Sequence, residues 1–173
     1  MKKYELLKED TVTTPSGKTL YRIKALVAIG PLVSPGDLGG YIESTKNLDM
    51  SGDAWVYGDA WVFGNARVSG NARVYGNARV YGNAWVSGDA RVYGDARVKE
   101  ETDIQWFSCV GSECGTLTVC KAKKGLFVSR GCFAGTLDEF KAAVSEKHGT
   151  NKYGRHYQAL IDAIELWFSD GED

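Results

Sequence analysis

The residues best suited to hold a ligand are arginines and aromatic residues that recur at a fixed spacing. Between residues 51 and 98, one position in every six is Trp or Arg. Arginine forms paired, charge-assisted hydrogen bonds with phosphate or carboxylate, and tryptophan offers a flat ring on which a base can stack. The candidate ligand-binding residues at this position are Trp55, Trp61, Arg73, Arg79, Trp85, Arg91 and Arg97, joined by Tyr57, Tyr75 and Tyr93 two positions after three of them.

Acid–base and nucleophilic chemistry has few candidates in this chain. Its two histidines are His148 and His156, and neither lies in the repeat. A histidine can act as a general base, and Cys132 could serve as a nucleophile if folding brings it near one of them. These three residues form the alternative catalytic set. A histidine that ends a helix more commonly stabilises the helix dipole, so we expect no catalytic site.

Composition excludes several other classes of function. The four cysteines lie at spacings that contain no C-x-x-C pair, so we expect no metal site, and no phosphate-loop or dinucleotide motif predicts a cofactor. The net charge is −1, and the repeat contains five Arg and four Asp, which makes nucleic acid an unlikely partner. Without an apolar run near its first residues we expect no membrane association and a cytoplasmic location, with the thiols reduced.

A six-residue repeat positions the candidate binding residues. Residues 51–98 form eight hexads in which Gly is followed by Asp or Asn, then Ala, then Trp or Arg, then Val. Alternation places Ala and Val on one face of a short strand, and the Gly-Asp or Gly-Asn pair supplies a corner. A strict short period of this kind is typical of stacked structural repeats.

The residue after each Val gives the number of strands per coil. It is aromatic, aromatic and then serine, and the order repeats every 18 residues. Three hexads per coil predict a mainly-β fold, a left-handed parallel β-helix whose coils pair as parallel strands about 4.8 Å apart. Each coil then has three sides, and the strands stacked on one side form a wall. The first wall stacks Trp55, Arg73 and Arg91, and the second stacks Trp61, Arg79 and Arg97. The third wall, with Arg67 and Trp85, carries serines at its corner and is expected to be small and polar.

Arginine above arginine at one coil spacing is repulsive unless a ring, a carboxylate or a ligand anion intervenes. Stacking on Trp together with the corner aspartates is one interpretation, and a bound anion is the other. The stacked aromatic residues should be covered by another subunit or by the N-terminal strands, because large exposed apolar patches usually mark an interface. We therefore expect a homotrimer packed wall against wall, with any ligand held in clefts between the subunits.

The sequence divides into three expected segments, of which the β-helix is the middle one. Residues 1–38 read as N-terminal β-strands, residues 39–99 as the β-helix, and residues 100–173 as a C-terminal α+β cap of three strands and two helices. The phase of the hexads places Ile42 and Leu48 at Ala positions and Met50 at a Val position. A capping box at Thr136 predicts a helix that ends near His148, and an apolar segment from Tyr157 to Phe168 predicts a well-buried second helix.

The segment Leu38-Gly39-Gly40-Tyr41-Ile42-Glu43-Ser44, running into these repeats, resembles hexapeptide-repeat proteins of bacteriophages and prophages, as do residues 131–140 and 148–157. Members of that group are usually labelled transferases or left-handed β-helix proteins. The resemblance implies a phage-encoded protein that binds and inhibits a host defence protein or sequesters a nucleotide-like signal. It also implies two alternatives, an acyltransferase with an acetyl-CoA-type donor and a structural or scaffold phage protein. Acyltransferases with this repeat use a histidine on a coil and an extended loop; residues 51–98 contain neither, which favours a non-catalytic binding protein.

Overall fold

The structure, a computed structural model, describes residues 1–169. It begins with three longer strands, continues through eight two-residue strands and ends in an antiparallel sheet and two helices. The elements are β1 (Tyr4–Thr13), β2 (Thr19–Ala25), β3 (Leu38–Ile42), β4 (Trp55–Val56), β5 (Trp61–Val62), β6 (Arg67–Val68), β7 (Arg73–Val74), β8 (Arg79–Val80), β9 (Trp85–Val86), β10 (Arg91–Val92), β11 (Arg97–Val98), a 3-10 turn (Glu101–Asp103), β12 (Ile104–Val110), β13 (Gly115–Lys121), β14 (Leu126–Arg130), β15 (Phe133–Thr136), α1 (Leu137–His148) and α2 (Lys152–Phe168).

The hexads build a β-solenoid of about three turns over residues 41–98. Val56 pairs with Val74, which pairs with Val92, so residues 18 apart stack in parallel as predicted. Every Ala and Val of the eight hexads is at most 1% exposed, and together they form the core. The first wall consists of β4, β7 and β10, the second of β3, β5, β8 and β11, and the third of β6 and β9. The solenoid and its three hexads per coil are thereby confirmed; the left-handed sense of winding stays a prediction.

The first coil is longer than the others. Ile42 pairs with Val62 and Leu48 with Val68, an offset of twenty residues instead of eighteen. Both therefore occupy Val positions, and the prediction that they occupy Ala positions is wrong. The same shift leaves Met50 in a widened corner, 37% exposed rather than in the core. The amine of the buried Lys3 holds this corner by donating to the carbonyls of Asp49 at 3.0 Å and Gly52 at 3.1 Å.

The N-terminal hairpin caps the first coil. β1 pairs with β2 and β2 with β3, both antiparallel, so the hairpin extends the sheet of the second wall. Tyr4 packs edge-on against Trp55 with ring centroids 6.1 Å apart, and its hydroxyl donates to the Leu48 carbonyl at 2.7 Å. The exposed edge that a short solenoid would otherwise present is thus covered.

The C-terminal sheet covers the other end of the solenoid. It has four antiparallel strands, β12 to β15, rather than the three predicted. The fourth arises because Gly131 and Cys132 make a tight connection, after which Phe133–Thr136 pairs with β14. On the last coil, the Arg91 N–H donates to the Thr118 hydroxyl at 3.0 Å and the Ser129 hydroxyl donates to the Arg91 carbonyl at 2.9 Å. Side chains of the sheet therefore satisfy backbone groups of the solenoid edge.

The two helices pack on the opposite face of that sheet around a second apolar core, which includes Leu117, Val128, Phe140 and Ile161. The capping box is confirmed, since the Thr136 hydroxyl accepts from the Glu139 N–H and the Glu139 carboxylate accepts from the Thr136 N–H.

The second helix differs from its prediction in two respects. It begins at Lys152, five residues earlier than expected, because the Asn151 side chain accepts from the Gly154 N–H at 2.9 Å and caps it. It is also buried on one side only: Leu166 is 78% and Trp167 50% exposed. The Trp167 indole instead reaches the Thr102 carbonyl, to which it donates at 3.0 Å.

The expectation of four reduced thiols is wrong for one pair. Cys109 and Cys114 form a disulfide across the turn between β12 and β13. Both residues have positive φ there, which turns the chain so that their side chains meet. Cys120 is a buried free thiol and Cys132 an exposed one.

Candidate functional site

The first wall presents two arginines but no tryptophan. Trp55 heads the column, yet it is only 1% exposed because Tyr4 covers it. It therefore offers no ring to a ligand, contrary to the role expected for it. Arg73 and Arg91 continue the column as paired residues of adjacent strands, the first half-buried and the second exposed.

A file of stacked tyrosines runs beside this column. The ring centroids of Tyr57 and Tyr75 lie 4.4 Å apart, as do those of Tyr75 and Tyr93, and the planes are within 8° of parallel. The predicted vertical alignment is confirmed. Burial, reinforced by the neighbouring Tyr75, raises the pKa of Tyr57 to about 12. Burial lowers the pKa of Arg73, but its hydrogen bond to the Tyr75 hydroxyl and the nearby tyrosines outweigh that effect, so that the net shift is upward.

The second wall holds its tryptophan under an arginine. The guanidinium carbon of Arg79 lies 3.5 Å from the centroid of the Trp61 ring, a cation–π contact that occupies one face of the ring. Arg97 lies one strand further on and donates to the Asn77 carbonyl at 3.1 Å. Burial and the positive charge of Arg97 lower the pKa of Arg79. Stacking on Trp thus accounts for one repeat arginine.

The third wall carries the most exposed aromatic residue of the repeat. Trp85 is 52% exposed, and its indole N–H donates to the Ser69 hydroxyl at 3.1 Å. Shallow depressions adjoin it on both sides, one lined by Met50 and Arg67 and the other by Trp106. The expectation that this wall is merely small and polar is wrong, because the serines at its corner leave the Trp85 ring uncovered.

No ion pair within residues 1–169 involves a repeat arginine, that is, Arg67, Arg73, Arg79, Arg91 or Arg97. The charges of Asp59 and Asp95 nevertheless partly oppose the lowering of the Arg79 pKa. The corner aspartates therefore do not neutralise these columns by direct contact. Two walls consequently present stacked positive charge without a paired carboxylate.

The alternative catalytic residues lie in the C-terminal unit. Cys132 and His148 line the same cavity, whereas His156 is exposed on α2 and outside that lining. His148 ends α1 and its ring stacks on Tyr157 with centroids 5.5 Å apart. The structure thus brings together two of the three residues. Sequence reasoning missed Arg130, which lines this cavity; it stands in an ordinary strand pattern, and no local signal distinguishes it.

Two further features are absent from the part of the chain that the structure describes. Residues 1–169 contain no group of three or more His, Cys, Asp or Glu side chains close enough to hold a metal ion. Among the same residues, neither helix has the length and apolar character needed to cross a bilayer.

Comparison with known families agrees with the geometry of the repeat. Residues 72–88 match the family model described as the YdcK beta solenoid repeat. This stretch is a β-solenoid repeat. The matched residues span β7 to β9, and the hexads on either side continue the same pattern. No curated protein matches the chain.

Proposed function

We propose that this protein is a non-catalytic, homotrimeric binding protein whose solenoid walls hold an anionic ligand or an acidic protein surface. The observation that carries the proposal is the set of stacked repeat arginines without carboxylate partners. Arg73 pairs with Arg91 and Arg79 with Arg97, each one coil apart. An anion between two such guanidinium groups would relieve their repulsion and accept charge-assisted hydrogen bonds from both.

The distribution of exposed rings supports assembly into a trimer. Trp55 is covered by Tyr4 and one face of Trp61 by Arg79, so Trp85 is the most exposed tryptophan of the repeat. Trp85 lies on the third wall and the Arg73–Arg91 pair on the first. Closed rings of three subunits require contact between two different surfaces. Packing the third wall of one subunit against the first wall of the next would place a stacking ring beside two guanidinium groups, a combination suited to a nucleotide-like ligand.

The resemblance to phage proteins supplies the biological setting of the proposal. On this basis the proposed partner is a host defence protein that the trimer inhibits, or a nucleotide-like host signal that the trimer sequesters. The rival functions are acyl transfer that uses His148 or His156 and a structural role in the phage particle.

Native mass spectrometry of the protein purified from host lysate tests assembly and ligand together. We expect a trimer, with any retained ligand lost in the Arg73→Gln/Arg91→Gln double variant and kept in Arg155→Gln, an exposed arginine on α2. With ADP as a probe, the double variant should bind at least about tenfold more weakly, since hydrogen bonds between charged groups contribute about 1.5–3 kcal/mol. A monomer that turns over acetyl-CoA, with activity abolished by His156→Ala, would overturn the proposal. Co-purification with phage particles would favour the structural role instead.

A further inference from the structure

The C-terminal unit contains a cavity of about 220 Å³ that is separate from the solenoid walls. It lies where the connection between β14 and β15, the helix α1 and the first turns of α2 meet. Its apolar part is formed by Phe133, Phe140 and Val144. Because drug-sized ligands need about 300–1,000 Å³, a cavity of this size suits a small molecule or the end of a peptide.

Arg130 brings an incompletely satisfied cation to this cavity. Its side chain is 10% exposed, and its Nη2 donates to the Val110 carbonyl at 2.6 Å. Its Nη1 is 3.8 Å from a carboxylate oxygen of Glu113, which is too far for a hydrogen bond, and Glu113 itself is 75% exposed. The Nε of Arg130 is buried and has no acceptor among residues 1–169. Leaving such a group unpaired costs about 1–3 kcal/mol or more.

A second donor lies beside it. Tyr157 lines the cavity and is 5% exposed, and its hydroxyl can donate a hydrogen bond. A Cβ atom added to Gly111 would lie 3.0 Å from Nη2 of Arg130 and closer still to the Tyr157 oxygen. Gly111, at φ +74°, therefore leaves room for the guanidinium and the phenol to lie together against the turn.

The charges around the cavity select a monoanion. Among the side chains that line it, Arg130 and Lys147 are positive and Glu113 is negative, so these three together carry one net positive charge. A second negative charge on a ligand would face the Glu113 carboxylate. A carboxylate fits the planar guanidinium and a phenol donor, and the phenylalanines provide a surface for an apolar body.

We propose that this cavity binds a small monocarboxylate with an apolar body. Its carboxylate accepts hydrogen bonds from Arg130 and Tyr157, and its hydrocarbon part packs against Phe133 and Phe140. Lys147 strengthens binding by attraction and Glu113 weakens it by repulsion. The carboxylate can belong to a free acid or to the C-terminus of a peptide, and the site is independent of the solenoid walls.

Calorimetric titration of the full chain with phenylacetate tests the proposal, with phenylacetamide as the uncharged control. Arg130→Gln should weaken binding of phenylacetate by about 10- to 100-fold, as expected for loss of hydrogen bonds to a charged group. Lys147→Gln should weaken it by about two- to fivefold, and Glu113→Gln should strengthen it by a similar factor. The distant Lys8→Gln, and the Arg73→Gln/Arg91→Gln variant of the solenoid, should bind as the wild type does.

Lys147→Gln and Glu113→Gln change exposed side chains, so they test the proposal even if Arg130→Gln fails to fold. Opposite shifts for Lys147→Gln and Glu113→Gln support the proposal, and identical affinities for both refute it. Equal binding of phenylacetate and phenylacetamide also refutes it. A tripeptide that ends in phenylalanine distinguishes the sources: tighter binding of its free acid than of phenylacetate identifies a peptide C-terminus, and tighter binding of phenylacetate identifies a free acid.

Discussion

The file of tyrosines makes a quantitative prediction about stability. Tyr75 stacks on two rings at 4.4 Å, whereas Tyr93, at the end of the file, stacks on one. An aromatic pair contributes about 0.5–1.5 kcal/mol beyond the area it buries. Tyr75→Ala should therefore lose about 1–3 kcal/mol from stacking and Tyr93→Ala about half of that. Because both residues are half-buried, the two variants should lose a similar amount of stability from reduced burial. The difference between their free energies of unfolding then reports the difference in stacking.

Urea unfolding followed by circular dichroism measures both free energies of unfolding. Tyr153→Ala serves as a control, since Tyr153 is also half-buried but lies on α2, away from the file. Equal losses for Tyr75→Ala and Tyr93→Ala would refute the reasoning. Such a result would mean that each tyrosine is held by its own contacts with the solenoid rather than by its neighbours in the file.

Three further predictions follow from the corners, the tyrosines and the thiols. Gly70→Ala should destabilise the protein more than Gly58→Ala in thermal melts, because φ is positive at both positions but only at Gly70 would the new Cβ approach another coil, 3.0 Å from the Gly88 backbone. Since burial raises the pKa of Tyr57 to about 12, above an unfolded value of about 10, its contribution to stability should be complete below pH 10 and fall as the pH rises toward 12, as measured by phenolate absorbance and unfolding. Iodoacetamide should label the exposed Cys132 in the native protein and leave Cys120 unmodified, because burial raises the pKa of the Cys120 thiol to about 12; labelling of both in mass spectra would contradict this.

The interior of the solenoid could be predicted from sequence because each hexad repeats the same physical constraints. The alternation of Ala and Val gave the buried face, and the 18-residue order of Tyr and Ser gave the vertical stacking. The first coil departs from this repeat. Its corner is two residues longer, so Leu48 occupies a Val position rather than an Ala position. The Lys3 amine holds this corner by its hydrogen bond to the Asp49 carbonyl. A contact between residues 3 and 49 leaves no periodic trace in the sequence.

The candidate binding surfaces were less predictable because exposure is not a property of the hexad. Trp55 and Trp85 occupy the same position in their repeats, yet one is 1% and the other 52% exposed. The difference comes from Tyr4, which the N-terminal hairpin places over Trp55. The C-terminal cavity is harder still to predict, since Arg130, Gly111 and Tyr157 come from a strand, a turn and a helix that meet only after folding.

The N-terminal cap and the repeat residues together make the three walls of the solenoid chemically different. The N-terminal hairpin covers the tryptophan of the first wall, and Arg79 covers that of the second. The third wall keeps Trp85 uncovered, while the first keeps the Arg73–Arg91 pair without a carboxylate partner. Identical walls would allow any wall to meet any other, and such contacts do not specify a closed ring. An exposed ring on one wall and unpaired positive charge on another favour a single head-to-tail contact, which is the kind of contact that the proposed homotrimer requires.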